Sequence, residues 1–189
     1  METRACRRSG LGVRSARFLV GTATAAAGFL VASPWLDALA FDRSLVLTGE
    51  YWRLGTSHLT HLDTRHALMN AAGTGLVAAV LLEYLRPGTV LWGALAIAAA
   101  ISATSVLLSV ESSYAGFSGV LHGLAALAAV VLAKRAPWLA ATVGVVLIAG
   151  VLTALAGWSR PWMASVAIHT HVCGIGAGAA IGFWLRRAR

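Results

Sequence analysis

Residues 116–133, GFSGVLHGLAALAAVVLA, join a glycine-flanked serine to a long apolar run. Five further apolar segments occur along the chain, and about 20 apolar residues in a helix span the hydrocarbon core of a membrane. The six predicted segments are Ala16–Ser33, His66–Leu85, Gly88–Val110, Ser118–Ala133, Pro137–Ala156 and Ala164–Leu185. The sequence therefore predicts an all-α membrane protein built as a bundle of six transmembrane helices.

The composition supports a membrane location. Of the 189 residues, 58% are hydrophobic and only 12% are charged, too few charges to cover the surface of a soluble domain of this size. The apolar residues run all round each segment, which excludes the alternating strands of a membrane barrel. The length fits one domain, so we predict a basic cytoplasmic N-terminus at residues 1–15 and a six-helix domain at residues 16–189.

The net charge of +8 is distributed unevenly among the connections. If six helices alternate in direction, one side holds most of the basic residues. These are Arg4, Arg7, Arg8, Arg14, Arg17, Arg86, Lys134, Arg135, Arg186, Arg187 and Arg189. On the other side, five acidic residues dilute four arginines. This asymmetry follows the positive-inside rule and predicts that both termini are cytoplasmic. It indicates a lipid bilayer as the partner and argues against nucleic acid.

The first 40 residues also fit a second interpretation. A basic stretch, an apolar stretch and a possible cleavage site at Ala38-Leu39-Ala40 are typical of a signal peptide. Because five further hydrophobic segments follow, we expect the first helix to be retained as an anchor, with its removal as the alternative.

Ser118 is the first candidate for chemistry. It stands at the predicted start of the fourth helix, between Gly116 and Gly119. Glycines permit close backbone approach, and a helix N-terminus offers free N–H groups that can hold a developing oxyanion. The alternative is helix packing alone, because Gly119 and Gly123 form a small-xxx-small pair.

His171, in the sixth segment, is a candidate general base. It is followed by Gly174, Gly178 and Gly182, all on the same helix face. This glycine stripe would let another helix pack very close, and if that helix is the fourth, the imidazole reaches Ser118. A serine hydroxyl needs a base to take its proton, and histidine is the usual one. The alternative is a histidine bonded structurally to a neighbouring helix.

A third polar cluster lies at the start of the second segment. His66 and Asn70 lie one helical turn apart on one face, and His61 precedes them. Histidine and asparagine can both present a hydrogen-bond donor without net charge, which suits an oxyanion hole. The competing interpretation is a zinc site formed by His58, His61 and His66. No His-Glu-x-x-His motif and no carboxylate in a later membrane segment supports that site.

His169, Lys134 and His122 are further residues that could serve as a base or as a metal ligand. His169 and His171 lie two residues apart, so in a helix they point in nearly opposite directions and should not share a metal ion. Lys134, the only lysine, lies at the far end of the fourth segment from Ser118, which argues against a Ser–Lys dyad. His122 lies one turn after Ser118 on the same face, and it remains open as a base beside His171.

Taken together, the three clusters resemble the rhomboid family of intramembrane serine proteases. The matching residues are His61, His66 and Asn70; Gly116, Phe117, Ser118 and Gly119; and His171, Gly174 and Gly178, with Trp52-Arg53 upstream. The resemblance covers about residues 50–185. It implies a Ser118–His171 dyad without a third carboxylate, and an oxyanion hole formed by His66, Asn70 and the Ser118 N–H. It implies supporting roles for His61 and His122, and no metal or cofactor.

A narrower resemblance concerns residues 116–123, GFSGVLHG, which look like the rhombosortase branch. His122 stands where many rhomboids carry tyrosine, whereas Thr170 and Cys173 depart from what is common in that branch. The resemblance implies a bacterial inner-membrane protein that cleaves membrane-anchored secreted proteins with a C-terminal Gly-Gly, a hydrophobic helix and a basic tail. The alternatives are a general rhomboid protease with other single-span substrates, or a catalytically inactive rhomboid-like binding protein.

Overall fold

A computed structural model describes residues 2–109, 112–156 and 168–188. Helices make up most of this part of the chain. In chain order they are α1 (Glu2–Ala32), α2 (Leu36–Leu39), α3 (Arg43–Leu47), α4 (Arg53–Thr56), α5 (Thr64–Leu81), α6 (Pro87–Leu108), α7 (Ser118–Leu132), α8 (Pro137–Leu155) and α9 (Ile168–Arg187). A 3₁₀ turn at Ser33–Trp35 links α1 to α2.

The long helices have membrane character. Ser15–Leu39, Pro87–Leu108 and Ile168–Arg187 are long and apolar enough to cross a membrane, and Ser118–Leu132 and Pro137–Thr153 are shorter apolar helices. The protein is therefore an all-α membrane protein. The number of spans predicted from the sequence, six, remains a prediction, since α5 is interrupted by polar residues in its first half.

Several helix ends differ from the predicted ones. Helix α1 begins at Glu2 rather than near residue 16, because the basic N-terminal stretch contains good helix formers and no proline. Helix α5 ends at Leu81 rather than at the predicted Leu85, and residues 82–84 form turns. Arg86 is extended, as expected for the residue before Pro87, which begins α6. The predicted ends at Val110 and Ala164 lie outside the described residues.

The connection between α1 and α5 is folded onto the bundle. Buried Arg53 donates hydrogen bonds from Nη1 to the carbonyl oxygens of Asp37 and Ala40 at 2.9 and 2.8 Å. Its Nε donates to Glu50 Oε2 at 2.6 Å. One arginine thus fixes a segment that has little regular structure of its own.

Two short strands complete this connection. Strand β1 (Phe41–Asp42) pairs antiparallel with β2 (Ser113–Tyr114), and Phe41 lies opposite Tyr114 with the rings stacked at 4.7 Å. The pattern of residues along the chain did not predict this pairing. It attaches the first connection to the segment just before α7.

Helix α7 forms the centre of the bundle. It contacts α5, α6, α8 and α9, and most of its side chains are buried. Its residues Val120, Leu124 and Leu127 pack in one apolar core with Ile97 and Ile101 of α6. Burial on every side suits a helix that is apolar all round. The N-terminus of α7 therefore lies at one end of the packed core.

Candidate active site

Ser118 is the first residue of α7, and the chain reaches it through a glycine that no other residue could replace without strain. Gly116 has a φ of +127°, a conformation that side chains rarely adopt, and a Cβ atom there would lie 2.9 Å from His66 Cε1. The Gly116 N–H donates to the carbonyl oxygen of Ser57 at 2.8 Å. This hydrogen bond holds the turn before Ser118 against the end of α4.

His171, near the start of α9, lies beside Ser118. Its Nε2 is 2.9 Å from Ser118 Oγ, and its side chain is buried. This distance is within hydrogen-bond reach, as a base that accepts the hydroxyl proton requires.

The close approach of α7 and α9 depends on glycines of both helices. A Cβ atom at Gly174 would overlap the carbonyl oxygen of Gly119, and one at Gly178 would overlap that of Gly123. In the other direction, a Cβ atom at Gly119 would lie 2.9 Å from the carbonyl oxygen of Thr170. Backbone-to-backbone contact therefore brings the helix that carries Ser118 to the one that carries His171.

His122 takes a different position from His171. Its ring is stacked on that of His171, with centroids 4.0 Å apart and an angle of 12° between the planes. Its Nδ1 lies 2.7 Å from the carbonyl oxygen of Ser118, so Nδ1–H donates to that oxygen. The imidazole of His122 thus contacts the backbone of Ser118 and one face of His171, while Nε2 of His171 is the ring atom bonded to Oγ.

His66 and Asn70 lie on α5, next to the turn before Ser118. Asp63 caps the helix, since its carboxylate accepts from the His66 N–H at 2.7 Å. Asn70 Nδ2 donates to the carbonyl oxygen of His66 at 3.1 Å, which leaves the second Nδ2 proton of this amide for other acceptors. The His66 ring meets His61 edge-on at 5.0 Å.

His61 stabilises the backbone of the turn before Ser118. Its Nε2 accepts from the Phe117 N–H at 3.3 Å, and its Nδ1 lies 3.2 Å from the carbonyl oxygen of Leu59. Burial lowers the pKa of His61 to about 4, so the ring is neutral with its proton on Nδ1. The ring also packs against Phe29 of α1 at 4.5 Å. His61 therefore fixes the backbone immediately before Ser118.

These residues surround one cavity of about 590 Å³, a size typical of ligand sites. The residues of α5, α7 and α9 that line it include Ser118, His122, His171, His66 and Asn70. Residues of α2, β1, α3 and β2 also line the cavity, which is partly open. Ser118 and His171 therefore both face a space that a ligand could occupy.

The histidines proposed for zinc are not arranged as ligands. Among the described residues, no group of three or more His, Cys, Asp or Glu side chains is placed to hold a metal ion. His58 Nε2 is instead 3.1 Å from Ser102 Oγ, and His169 Nε2 is 2.8 Å from Ser105 Oγ. His58, one of the three histidines considered for zinc, thus forms a hydrogen bond with a serine of α6.

Two serines of α6 hold the segments on either side of the cavity, which the sequence interpretation missed. Ser102 donates to the carbonyl oxygen of Leu54 at 2.6 Å, so its Oγ accepts from the Tyr114 hydroxyl at 3.2 Å and from His58. Through Tyr114, α6 holds the strand before Ser118.

One turn further along α6, Ser105 makes the corresponding contact with α9. Its hydroxyl donates to the carbonyl oxygen of Ile101 at 2.8 Å, so Oγ accepts from His169 Nε2–H. His169 lies two residues before His171. Polar residues inside an apolar helix point to function, a signal that could have identified both serines but not their partners.

Comparison with known proteins identifies the family of this chain. A family model described as Rhomboid domain matches residues 48–188, which include every predicted site residue. No curated protein matches the sequence significantly. The chain belongs to the rhomboid family, whose members are intramembrane serine proteases that act on membrane protein substrates within the bilayer.

Proposed function

We propose that this protein is an intramembrane serine endopeptidase in which Ser118 and His171 form the catalytic dyad. The observation that carries the proposal is the 2.9 Å distance between Ser118 Oγ and His171 Nε2, at the wall of an open cavity. Membership of the rhomboid family supports a protease independently of this geometry.

The proposed reaction follows the chemistry of a serine nucleophile. Ser118 Oγ attacks the carbonyl carbon of the scissile bond while its proton passes to His171 Nε2. The C–N bond then breaks, and the leaving amine takes that proton. Water, with His171 again as base, hydrolyses the ester formed on Ser118 and restores the hydroxyl. No third carboxylate is needed, because His122 stacks on the imidazole and holds its orientation.

The oxyanion formed in the first step would be held by His66, Asn70 and the backbone N–H of Ser118. Both side chains line the cavity, and the N–H groups of the first turn of α7 have no partner within that helix. Donors fixed in advance, in a site shielded from water, stabilise such a charge strongly. Gly116 and Gly119 keep the backbone around Ser118 accessible, and His61 fixes it.

For the substrate, we propose the rhombosortase type: a secreted protein with a C-terminal Gly-Gly, one hydrophobic helix and a basic tail. The eight residues 116–123, with His122, support this. We also propose that the chain lies in the bacterial inner membrane with both termini cytoplasmic, because the basic residues cluster at one end of the helices. The basic tail of the substrate would then stay cytoplasmic and bring Gly-Gly to the side of Ser118.

The dyad can be tested with a fluorophosphonate probe, which labels activated serines covalently. The wild-type protein should be labelled, whereas Ser118→Ala and His171→Ala should not. A wild-type protein that stays unlabelled while folded and inserted would point to an inactive binding protein and reject the proposal.

The substrate class needs a separate test. A reporter that ends in Gly-Gly, a hydrophobic helix and a basic tail should be shortened on co-expression, in a manner that depends on Ser118. A matched reporter with Leu-Leu in place of Gly-Gly should remain intact, because glycine weakens a helix and leucine does not. Cleavage of an ordinary single-span rhomboid reporter but not of the tailed one would reject the rhombosortase assignment and retain the protease.

A further inference from the structure

A small basic pocket lies at the end of the bundle opposite Ser118. It has a volume of about 140 Å³ and is lined by Leu85, Val131, Lys134, Arg135, Leu185 and Arg186. Ser118 and Leu132 are the two ends of α7, so about 20 Å of helix separates this pocket from the cavity described above. The pocket is therefore independent of the proposed active site.

The charge of the pocket lining is wholly positive. Lys134, Arg135 and Arg186 converge on it, and no carboxylate lines it. Arg135 is held over the ring of Tyr84 at 5.0 Å, and Arg186 Nη1 donates to the carbonyl oxygen of Val130 at 3.5 Å. Lys134 makes no hydrogen bond or ion pair within the described part of the chain. Three cations that line one pocket, with no carboxylate in its lining, favour an anion.

The rest of the pocket lining is apolar, and an exposed tryptophan lies beside it in the sequence. The apolar lining residues are Leu85, Val131 and Leu185. Trp184, which precedes Leu185 in α9, is exposed and packs against exposed Trp92 with ring centroids 6.0 Å apart. Exposed tryptophans are typical of the level of the lipid headgroups. An anion that carries an acyl chain would match both the positive charge of the lining and its apolar residues.

From these observations we propose that the pocket binds the phosphate of an anionic phospholipid, in the leaflet at the α7 C-terminal end of the bundle. A water molecule takes up about 30 Å³ in the liquid, so the pocket has room for a phosphate group with its nearest ester atoms. Basic pockets between membrane helices bind such headgroups by the same combination of charge and apolar contact. The lipid would join the ends of α5, α7 and α9.

The proposal can be tested by native mass spectrometry of the full chain in detergent, titrated with dioleoyl phosphatidylglycerol or with the phosphatidylcholine of the same chains. We expect phosphatidylglycerol to bind more tightly. The double variant Lys134→Gln/Arg186→Gln should weaken its binding about thirtyfold, as expected for two cations near a lipid phosphate. Lys134→Arg, which keeps the charge, should bind as the wild type does.

The control variant Arg86→Gln/Arg187→Gln removes the same charge at the same end of the bundle, outside the pocket. Its phosphatidylglycerol binding should stay within about threefold of wild type. Equal weakening in both double variants would show a diffuse charge effect and overturn the site. Equal binding of phosphatidylcholine would also overturn it. Displacement of the lipid by an equal concentration of glycerol 3-phosphate would identify a free phosphate ester as the ligand instead.

Discussion

The substitution Gly178→Ala tests whether backbone contact between α7 and α9 sets the geometry of the Ser118–His171 pair. The added methyl group would overlap the carbonyl oxygen of Gly123 and would lie 2.6 Å from its carbonyl carbon, where ordinary contacts begin at 3.4 Å. Backbone atoms cannot rotate away as a side chain can, so α9 must move outward by about 1 Å.

The expected effect on the site follows from this displacement. His171 lies seven residues earlier on the same helix, and a shift of about 1 Å would take Nε2 beyond hydrogen-bond reach of Ser118 Oγ, from 2.9 Å at present. A misplacement of that size costs on the order of 10² in rate. Overpacking should also lower the free energy of unfolding by about 1–3 kcal/mol.

The assay measures the rate of fluorophosphonate labelling together with thermal unfolding in detergent. Gly176→Ala is the matched control, because a Cβ atom there has nothing within 4 Å. The control should label at the wild-type rate and should gain helix stability. If folded Gly178→Ala also labelled at the wild-type rate, the approach of the two helices would not determine the pair, and the reasoning would be refuted.

Four further predictions concern topology and roles in the site. Reporter fusions at the C-terminus and in the connection between α1 and α5 should report opposite sides of the membrane, because the six-helix topology places five spans between them. The same side for both would exclude an odd number of spans and with it the predicted topology. His66→Ala and Asn70→Ala should each lower turnover by roughly 10²–10³, and wild-type turnover in both would remove them from the oxyanion hole. His122→Ala should lower turnover without abolishing it, whereas complete loss would assign the proton transfer to His122. Ser105→Ala should lower kcat about fivefold with KM unchanged. In a double-mutant cycle with His169→Ala the two losses should not be additive. Additive losses would show that Ser105 does not act through His169.

The sequence by itself determined much of the local structure. Inside a bilayer every backbone N–H and C=O must find a partner within the protein, so long apolar segments become helices whatever their neighbours are. The segments predicted from apolar runs accordingly coincide with α1 and α5 to α9, apart from differences at their ends. Ser118, His171 and Asn70 could also be recognised as candidate site residues, because polar groups are rare in apolar segments.

Only the tertiary structure decided which of these groups meet. The sequence left both His122, one turn along the same helix, and His171, on a glycine-striped helix, as candidates for the base beside Ser118. The contact between the α7 and α9 backbones places Nε2 of His171 at Oγ and stacks His122 beside it. The β1–β2 pairing and the anchoring of His169 by Ser105 likewise join residues more than 60 positions apart. Such contacts depend on how whole helices pack, and local periodicity carries no information about the partner that a side chain meets across a bundle.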